Sequence, residues 1–161
     1  MNLLQVVLHT DAKNYYMDNH PIVLERTYDA PVKKVWNALT DKNEMKEWYF
    51  DLAEFRPEKG FRFQFYGGPP ERQYLHLCEV QEAVPEKIIS YSWRYDGYAG
   101  NSLVSFELTE EKNKTVMRLI HDGLHTFPKD VSDFDKKNFE QGWTEITESL
   151  DEYLQKVKTT G

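Results

Sequence analysis

Two histidines in the second half of the chain are the residues best placed to do acid–base chemistry. His121 shares its parity with Met117 and Leu119 along an alternating run, so we expect its ring to point inward with them. His76 lies in the middle of another such run. An imidazole with a pKa near about 6.5 can act as an acid, a base or a hydrogen-bond donor to a ligand. Each ring could equally be a structural core histidine, tied to a backbone carbonyl or, for His121, to Asp122.

Other kinds of catalytic or metal site find little support in the sequence. The segment His121–His125 holds two histidines and an aspartate, but its glycine places them at the end of a strand, and no HExxH pattern occurs. Cys78 is the single cysteine, which excludes an intramolecular disulfide and a cysteine-based zinc site. The run Gly67–Pro70 lacks the lysine and the following helix of a phosphate-binding loop. We therefore predict no catalytic residue set, no bound metal and no cofactor.

Aromatic residues are numerous, with 9 Phe, 10 Tyr and 4 Trp among 161 residues. Rings alternate with other residues along Phe61–Phe65 and Tyr91–Tyr95, so each run presents them on one face. Such faces could line an apolar pocket with a few polar groups, which is the usual small-molecule site, or the rings could pack solidly on each other. The predicted cavity residues are Trp48, Phe63, Phe65, His76, Tyr91, Trp93, Tyr95, Phe106, Met117, His121, Trp143 and Ile146.

Hydrophobic periodicity predicts the elements that position these residues. A half-buried strand at the start of the domain leads, through Pro31, into two short helices, the second of which restarts at Thr40-Asp41. The middle of the chain is a series of alternating runs with short turns between them, which indicates an antiparallel meander. Strands are expected at Ile22–Tyr28, Phe61–Tyr66, Tyr74–Val84, Ile88–Tyr95, Leu103–Thr109 and Thr115–His121.

The C-terminal segment has the pattern of one long helix. Its apolar stripe recurs at steps of 4, 3, 4, 4 and 3 through Phe139, Trp143, Ile146, Leu150, Leu154 and Val157. Gly142 lies inside this helix, where glycine costs about 1 kcal/mol relative to alanine. We therefore expect another backbone to approach closely at that position.

Length and charge limit the class of protein. A chain of 161 residues is typical of one domain, which we place at residues 21–158, after an appendage at residues 1–20 whose order the sequence does not indicate. The net charge of -7 argues against nucleic acid as a partner, because that affinity comes from clustered Lys and Arg. No run approaches the roughly 20 apolar residues of a membrane span, and the first residues lack a secretory pattern. We expect a soluble, cytoplasmic protein, for which a weak homodimer is compatible but not required.

Several short strings occur in an order that carries a family resemblance over about residues 22–157. They are Tyr28-Asp29-Ala30-Pro31, Val35-Trp36, Leu39-Thr40-Asp41, Trp48, the Pro57–Gly60 turn before Phe61-Arg62-Phe63, Glu79-Val80, Pro85, Ile89–Trp93, Val104–Leu108, Leu119–Leu124 and Gly142-Trp143. Together they resemble the START-like (SRPBCC) superfamily and, more narrowly, the bacterial family related to the activator of heat-shock-protein-90 ATPase. The chain departs from it at Cys78, where members often carry glycine, and residues 1–20 have no counterpart.

The resemblance implies an α+β helix-grip fold, in which a curved antiparallel β-sheet wraps around a long C-terminal helix and two short helices follow the first strand. It also implies a hydrophobic pocket between sheet and helix. The predicted function is binding of a small hydrophobic or aromatic molecule there without transforming it. One alternative is a co-chaperone-like interaction domain, although the chain has no room for the separate domain that docks on the chaperone. Another is a cyclase- or hydrolase-type enzyme that uses His121 or His76 with a tyrosine.

Overall fold

The computed structural model describes residues 19–160, and the side chains as far as residue 158. All but the last two positions of the predicted appendage lie outside these residues. The strands are β1 (Ile22–Tyr28), β2 (Arg62–Gly67), β3 (Tyr74–Val84), β4 (Ile88–Tyr95), β5 (Ser102–Glu111) and β6 (Lys114–Asp122). The helices are α1 (Val32–Thr40), α2 (Lys42–Trp48) and α3 (Lys136–Thr160), with short 3-10 turns at Leu124–Thr126 and Ser132–Phe134.

The strands form one antiparallel sheet in the order β1-β6-β5-β4-β3-β2. The run from β2 to β6 is a meander of neighbouring hairpins, and β1 adds to its far edge beside β6. A bulge in β3 between Val80 and Glu82 shifts the register against β4, which increases the local twist of the sheet. Sheet and long helix have the arrangement that the sequence indicated, so the predicted α+β helix-grip fold is confirmed.

Local signals explain where the two short helices begin. Pro31 is the N-cap of α1, and Val35 and Leu39 on its inner face are buried. Asp41 separates the two helices, because its carboxylate accepts hydrogen bonds from the backbone N–H groups of Asn43 at 2.8 Å and Glu44 at 3.3 Å. The chain therefore turns once between α1 and α2 without a loop.

The long helix α3 lies against the concave face of the sheet and is also tied to its β1 edge. Trp143, Leu150 and Leu154 of its apolar stripe are buried. The hydroxyl of Tyr28 in β1 donates to the carbonyl of Thr147 at 2.9 Å, and Arg26 Nε donates to the Thr147 hydroxyl at 2.9 Å. These bonds fix the middle of α3 and leave its N-terminal half to border the site described next.

Candidate functional site

A cleft of about 530 Å³ lies between the sheet and the N-terminal half of α3. Strands β3 and β4 contribute three of its lining side chains, which are His76, Trp93 and Tyr95. The helix contributes the apolar residues Phe139, Trp143 and Ile146, the glycine Gly142, and the polar residues Asn138, Gln141 and Glu145. Phe50, after α2, the Gly68-Pro69 loop and Asp133 complete its sides. The cleft is thus walled by aromatic rings, and its volume is in the range of about 300–1,000 Å³ that is typical of small-molecule sites.

Strand register brings the lining residues of the sheet together. His76 lies directly opposite Tyr95 in the β3–β4 pair and opposite Phe65 in the β2–β3 pair. The centroids of the His76 and Tyr95 rings are 4.7 Å apart, and those of His76 and Trp93 are 4.8 Å apart. Because side chains on one face of a strand are two residues apart, Trp93 and Tyr95 lie side by side next to His76.

Five of the twelve predicted cavity residues line this cleft, and these are His76, Trp93, Tyr95, Trp143 and Ile146. The other seven pack in the interior near it: Trp48, Phe63, Phe65, Tyr91, Phe106, Met117 and His121, none of which is more than 7% exposed. The structure therefore brings all twelve into one region but divides them between the cleft wall and the solid core. Ligand binding by any of them stays a prediction.

Ring packing fills the deeper part of the predicted pocket. Phe63 meets Tyr91 edge-on at 5.0 Å between centroids. The hydroxyls of Tyr91 and Tyr49 are 2.7 Å apart and share a hydrogen bond, and Trp48 Nε1 donates to the carbonyl of Ala38 at 2.9 Å. These polar atoms are satisfied by the protein itself. The sequence left solid packing and a cavity as alternatives, and each describes a different part of the interior.

His121 is the centre of a directional hydrogen-bond chain. The indole Nε1 of Trp143 donates to His121 Nδ1 at 2.9 Å, so the imidazole proton is on Nε2. Nε2 then donates to the Ser102 hydroxyl at 2.8 Å, which donates to the carbonyl of Trp93 at 2.7 Å. The chain links α3 to β6, β5 and β4. It engages both nitrogens of His121, so a role for this ring as an acid or base would require one of these bonds to break.

Burial keeps the His121 ring neutral. The side chain is 0% exposed, and desolvation lowers its pKa from 6.5 to about 3. The predicted inward orientation is therefore found, with Ser102 and Trp143 as partners instead of a backbone carbonyl or Asp122. The ring also holds the indole of Trp143, which forms part of the cleft wall.

The ring of His76 is hydrogen-bonded through Nδ1. Its Nδ1 lies 3.0 Å from the carbonyl oxygen of Tyr74. Burial lowers its pKa to about 4, and this outweighs the backbone hydrogen bonds with Tyr74 and Phe65, which raise it. The ring stacks on Phe65 at 4.5 Å and lies over Gly67, where a Cβ atom would come within 3.1 Å of His76 Cε1. Glycine at position 67 thus leaves room for this ring orientation.

Gly142 corrects one expectation. A Cβ atom added there would have no other atom of the described chain within 4 Å, apart from its own helix and chain neighbours. The predicted close backbone approach is therefore wrong, because the glycine faces the open cleft instead of a packed element. The absent side chain leaves space between α3 and the sheet.

An ion pair closes one side of the cleft mouth. Arg72 in the β2–β3 loop donates from Nε to Asp133 Oδ2 at 2.7 Å and from Nη2 to Oδ1 at 3.1 Å. The hydroxyl of Tyr74 donates to Oδ2 of the same carboxylate at 2.6 Å. Hydrogen bonds from Arg72 and then Tyr74 lower the pKa of Asp133 to about 2. The loop that carries Pro69 is in this way fastened to the segment before α3.

Phe50, Asn138 and Phe139 are among the lining residues that were missed from the sequence. Phe139 lies four residues before Trp143 on the helical stripe, so the spacing that located Trp143 could have located it too. Phe50 follows α2 outside any periodic run, and Asn138 precedes the stripe, so neither carried a signal. Within residues 19–160, no cluster of three His, Cys, Asp or Glu side chains could hold a metal ion. No helix in the same range is both long enough and apolar enough to cross a bilayer.

Known structures share this architecture. MLL2253 from Mesorhizobium loti is 26% identical with a TM-score of 0.68, over 85% of this chain and 98% of that one. CalU16 from Micromonospora echinospora is 25% identical with a TM-score of 0.64, over 83% of this chain and 74% of that one. DynU16, a protein of the dynemicin biosynthetic locus, is 20% identical with a TM-score of 0.68, over 84% and 47% of the two chains, and shows the fold alone.

The sequence itself carries the family assignment. A comparison with curated proteins gave no match. Residues 29–155 match the family described as Activator of Hsp90 ATPase homolog 1-like protein, which covers most of the chain and confirms the resemblance seen in the local strings. The chain belongs to this family, the Activator of Hsp90 ATPase homolog 1-like proteins.

Proposed function

We propose that the protein binds a small apolar or aromatic molecule in the cleft between the sheet and α3, without transforming it. The observation that carries this proposal is a ring-walled cleft of about 530 Å³ at the place where the helix lacks a side chain. The fold of this family commonly binds hydrophobic ligands, which agrees with the proposal. The aromatic walls would gain contact area with a planar ligand and remove its surface from water.

Gly142 supports the binding proposal because it is unfavourable for the helix and no packing contact explains its presence. Glycine in a helix interior costs about 1 kcal/mol relative to alanine, and here no neighbouring atom demands it. A larger side chain at this position would extend into the cleft. The glycine therefore gives the protein empty volume at the expense of helix stability, as a binding site requires.

The hydrogen-bond chain through His121 favours binding over catalysis. Both nitrogens of that ring are engaged, and its low pKa keeps it neutral near pH 7. His76 has a free nitrogen, but its pKa of about 4 makes it a weak base. The proposal therefore assigns hydrogen bonding, and no proton transfer, to the histidines.

Fluorescence titration with N-phenyl-1-naphthylamine, a neutral aromatic probe, tests the proposal. The full chain is expected to bind one equivalent saturably, with increased probe emission. Gly142→Leu should weaken binding at least about tenfold, since the new side chain occupies the cleft, while the protein stays as stable as the wild type or becomes more so. Glu148→Leu adds the same side chain on the exposed face of the same helix and should bind like the wild type. Non-saturable binding, or equal affinity for Gly142→Leu, would refute the proposal.

A second candidate function is a co-chaperone-like interaction, which the family description favours. This function makes a different prediction, because an activator of the Hsp90 ATPase would raise the rate at which that chaperone hydrolyses ATP. Under the leading proposal, adding the full chain to the chaperone leaves turnover unchanged. A dose-dependent rise in turnover that survives Gly142→Leu would support the second candidate.

A further inference from the structure

The imidazole of His76 offers one hydrogen-bond acceptor to the cleft. Since Nδ1 bonds to the carbonyl oxygen of Tyr74, Nδ1 carries the proton of the neutral ring and Nε2 keeps its lone pair. Within residues 19–160, Nδ1 forms a hydrogen bond of good geometry and Nε2 forms none, although His76 is only 5% exposed. Every fully buried side-chain nitrogen or oxygen in that part of the chain does have a partner. Nε2 is therefore accessible, and the space that His76 lines is the cleft.

The hydroxyl of Tyr95 offers a donor beside that acceptor. Its oxygen accepts a hydrogen bond from Trp93 Nε1 at 2.8 Å, so the hydroxyl proton is left to donate. No acceptor for this proton occurs among the described residues. Tyr95 and His76 are cross-strand partners with ring centroids 4.7 Å apart, and both line the cleft, so the donor and the acceptor border the same part of it. A ligand hydroxyl can accept from one and donate to the other through a single oxygen.

Charge in and around the cleft favours a neutral ligand. Burial lowers the pKa of His76 and raises that of Tyr95, so both side chains are uncharged near pH 7. Asp133 at the mouth is neutralised by Arg72, whereas the carboxylate of Glu145 on the helix side faces a neutral amide, that of Gln141. The net field at the mouth is thus negative and disfavours a carboxylate ligand.

We infer that the cleft selects a neutral, hydroxyl-bearing aromatic molecule, whose hydroxyl donates to Nε2 of His76 and accepts from the hydroxyl of Tyr95. The rings of Trp93, Phe139 and Trp143 then pack on its apolar part. This inference rests on the proposed function and names the chemistry of its ligand. It gives His76 and Tyr95 the role of specificity determinants within an otherwise apolar site.

Competition against N-phenyl-1-naphthylamine tests the inference with three probes of similar shape. They are 2-naphthol, 2-methylnaphthalene, which replaces the hydroxyl by a methyl group, and 2-naphthoate, which is anionic. His76→Phe keeps an aromatic ring but removes the acceptor, so the ratio of the Kd for 2-methylnaphthalene to that for 2-naphthol should fall at least about fivefold. The matched control His125→Phe changes an exposed histidine and should leave the ratio unchanged. 2-Naphthoate should compete at least about tenfold more weakly than 2-naphthol.

A measurement on the wild-type protein keeps the test independent of whether His76→Phe folds. In long-range 1H–15N correlation spectra, the signal of the unprotonated His76 Nε2 should move upfield when 2-naphthol is added. It should not move with 2-methylnaphthalene. An unchanged Nε2 signal with 2-naphthol bound, or an unchanged Kd ratio in folded His76→Phe, would overturn the inference. If the naphthylamine probe binds and Gly142→Leu blocks it, the proposed function survives that outcome; if the probe does not bind at all, both fail.

Discussion

Acidification from about pH 7.5 to about pH 5 is expected to destabilise the fold through its two buried histidines. Burial lowers the pKa of His76 to about 4 and that of His121 to about 3, from 6.5 in a solvated chain. In this window each histidine takes up a proton in the unfolded chain but stays neutral in the folded one. The unfolded state therefore binds more protons. The contribution of these two histidines to the free energy of unfolding is fully present above pH 6.5 and is lost as the pH falls toward the folded pKa values.

The expected magnitude follows from the same pKa values. At about pH 5 an unfolded histidine is protonated in about 97% of chains, which favours unfolding by about 2 kcal/mol per residue. The folded ring regains almost nothing, because its own pKa lies below this pH. The two residues together should cost about 4 kcal/mol, a large part of the roughly 5–15 kcal/mol that stabilises an ordinary domain.

Urea unfolding, followed by tryptophan fluorescence at the two pH values, measures this loss. The wild-type free energy of unfolding should fall by about 4 kcal/mol, and that of His76→Gln by about 2 kcal/mol, since one histidine remains. His125→Gln changes an exposed histidine and should lose as much as the wild type. A wild-type loss below about 1 kcal/mol, or the same loss in His76→Gln as in the wild type, would refute the reasoning.

Three further changes test other parts of the structure. Gly142→Ala should raise the free energy of unfolding by about 1 kcal/mol, because the added Cβ meets open space; a lower melting temperature would contradict this. Ser102→Ala leaves the buried His121 Nε2 without its partner and should cost about 1–3 kcal/mol in urea unfolding, whereas a neutral result would mean that another group accepts the bond. Arg72→Ala should raise the pKa of Asp133 from about 2 toward its ordinary value in a carboxyl-carbon NMR titration, with little change in stability because the Arg72 side chain is exposed to solvent. An unchanged pKa would assign the shift to Tyr74 instead.

Periodicity predicted the elements well because it reflects which face of each strand is buried. The bounds expected for Tyr74–Val84 and Ile88–Tyr95 are those found, since turn residues flank both runs. The long helix begins at Lys136, three residues before the first apolar residue of its stripe, because polar residues at a helix start carry no such period.

The site was harder to predict, because the alternation of residues along a strand shows on which face of the sheet a side chain lies but not how deeply it is packed. Phe65 and His76 point to the same side of the sheet, yet only His76 borders the cleft, since the depth of packing depends on how far α3 stands from the sheet. The partners of His121 lie 19 and 22 positions away in the sequence, so their contact depends on the tertiary packing alone. Gly142 shows a further limit, because a helical glycine can mark either close packing or empty space.

The pairing of β1 with β6 has a consequence for the order in which the protein folds. Ile22 pairs with His121, so β1 must wait for the synthesis of β6 before it can pair. At about 5–20 residues per second, the roughly 90 intervening residues take about 5–20 s to synthesise. During that time the hairpins from β2 to β5 can form locally, whereas β6, with which β1 pairs, has not yet been made. Since pairings of high contact order form slowly, docking of β1 is expected to limit the folding rate, so mutations that weaken its pairing with β6 should slow folding.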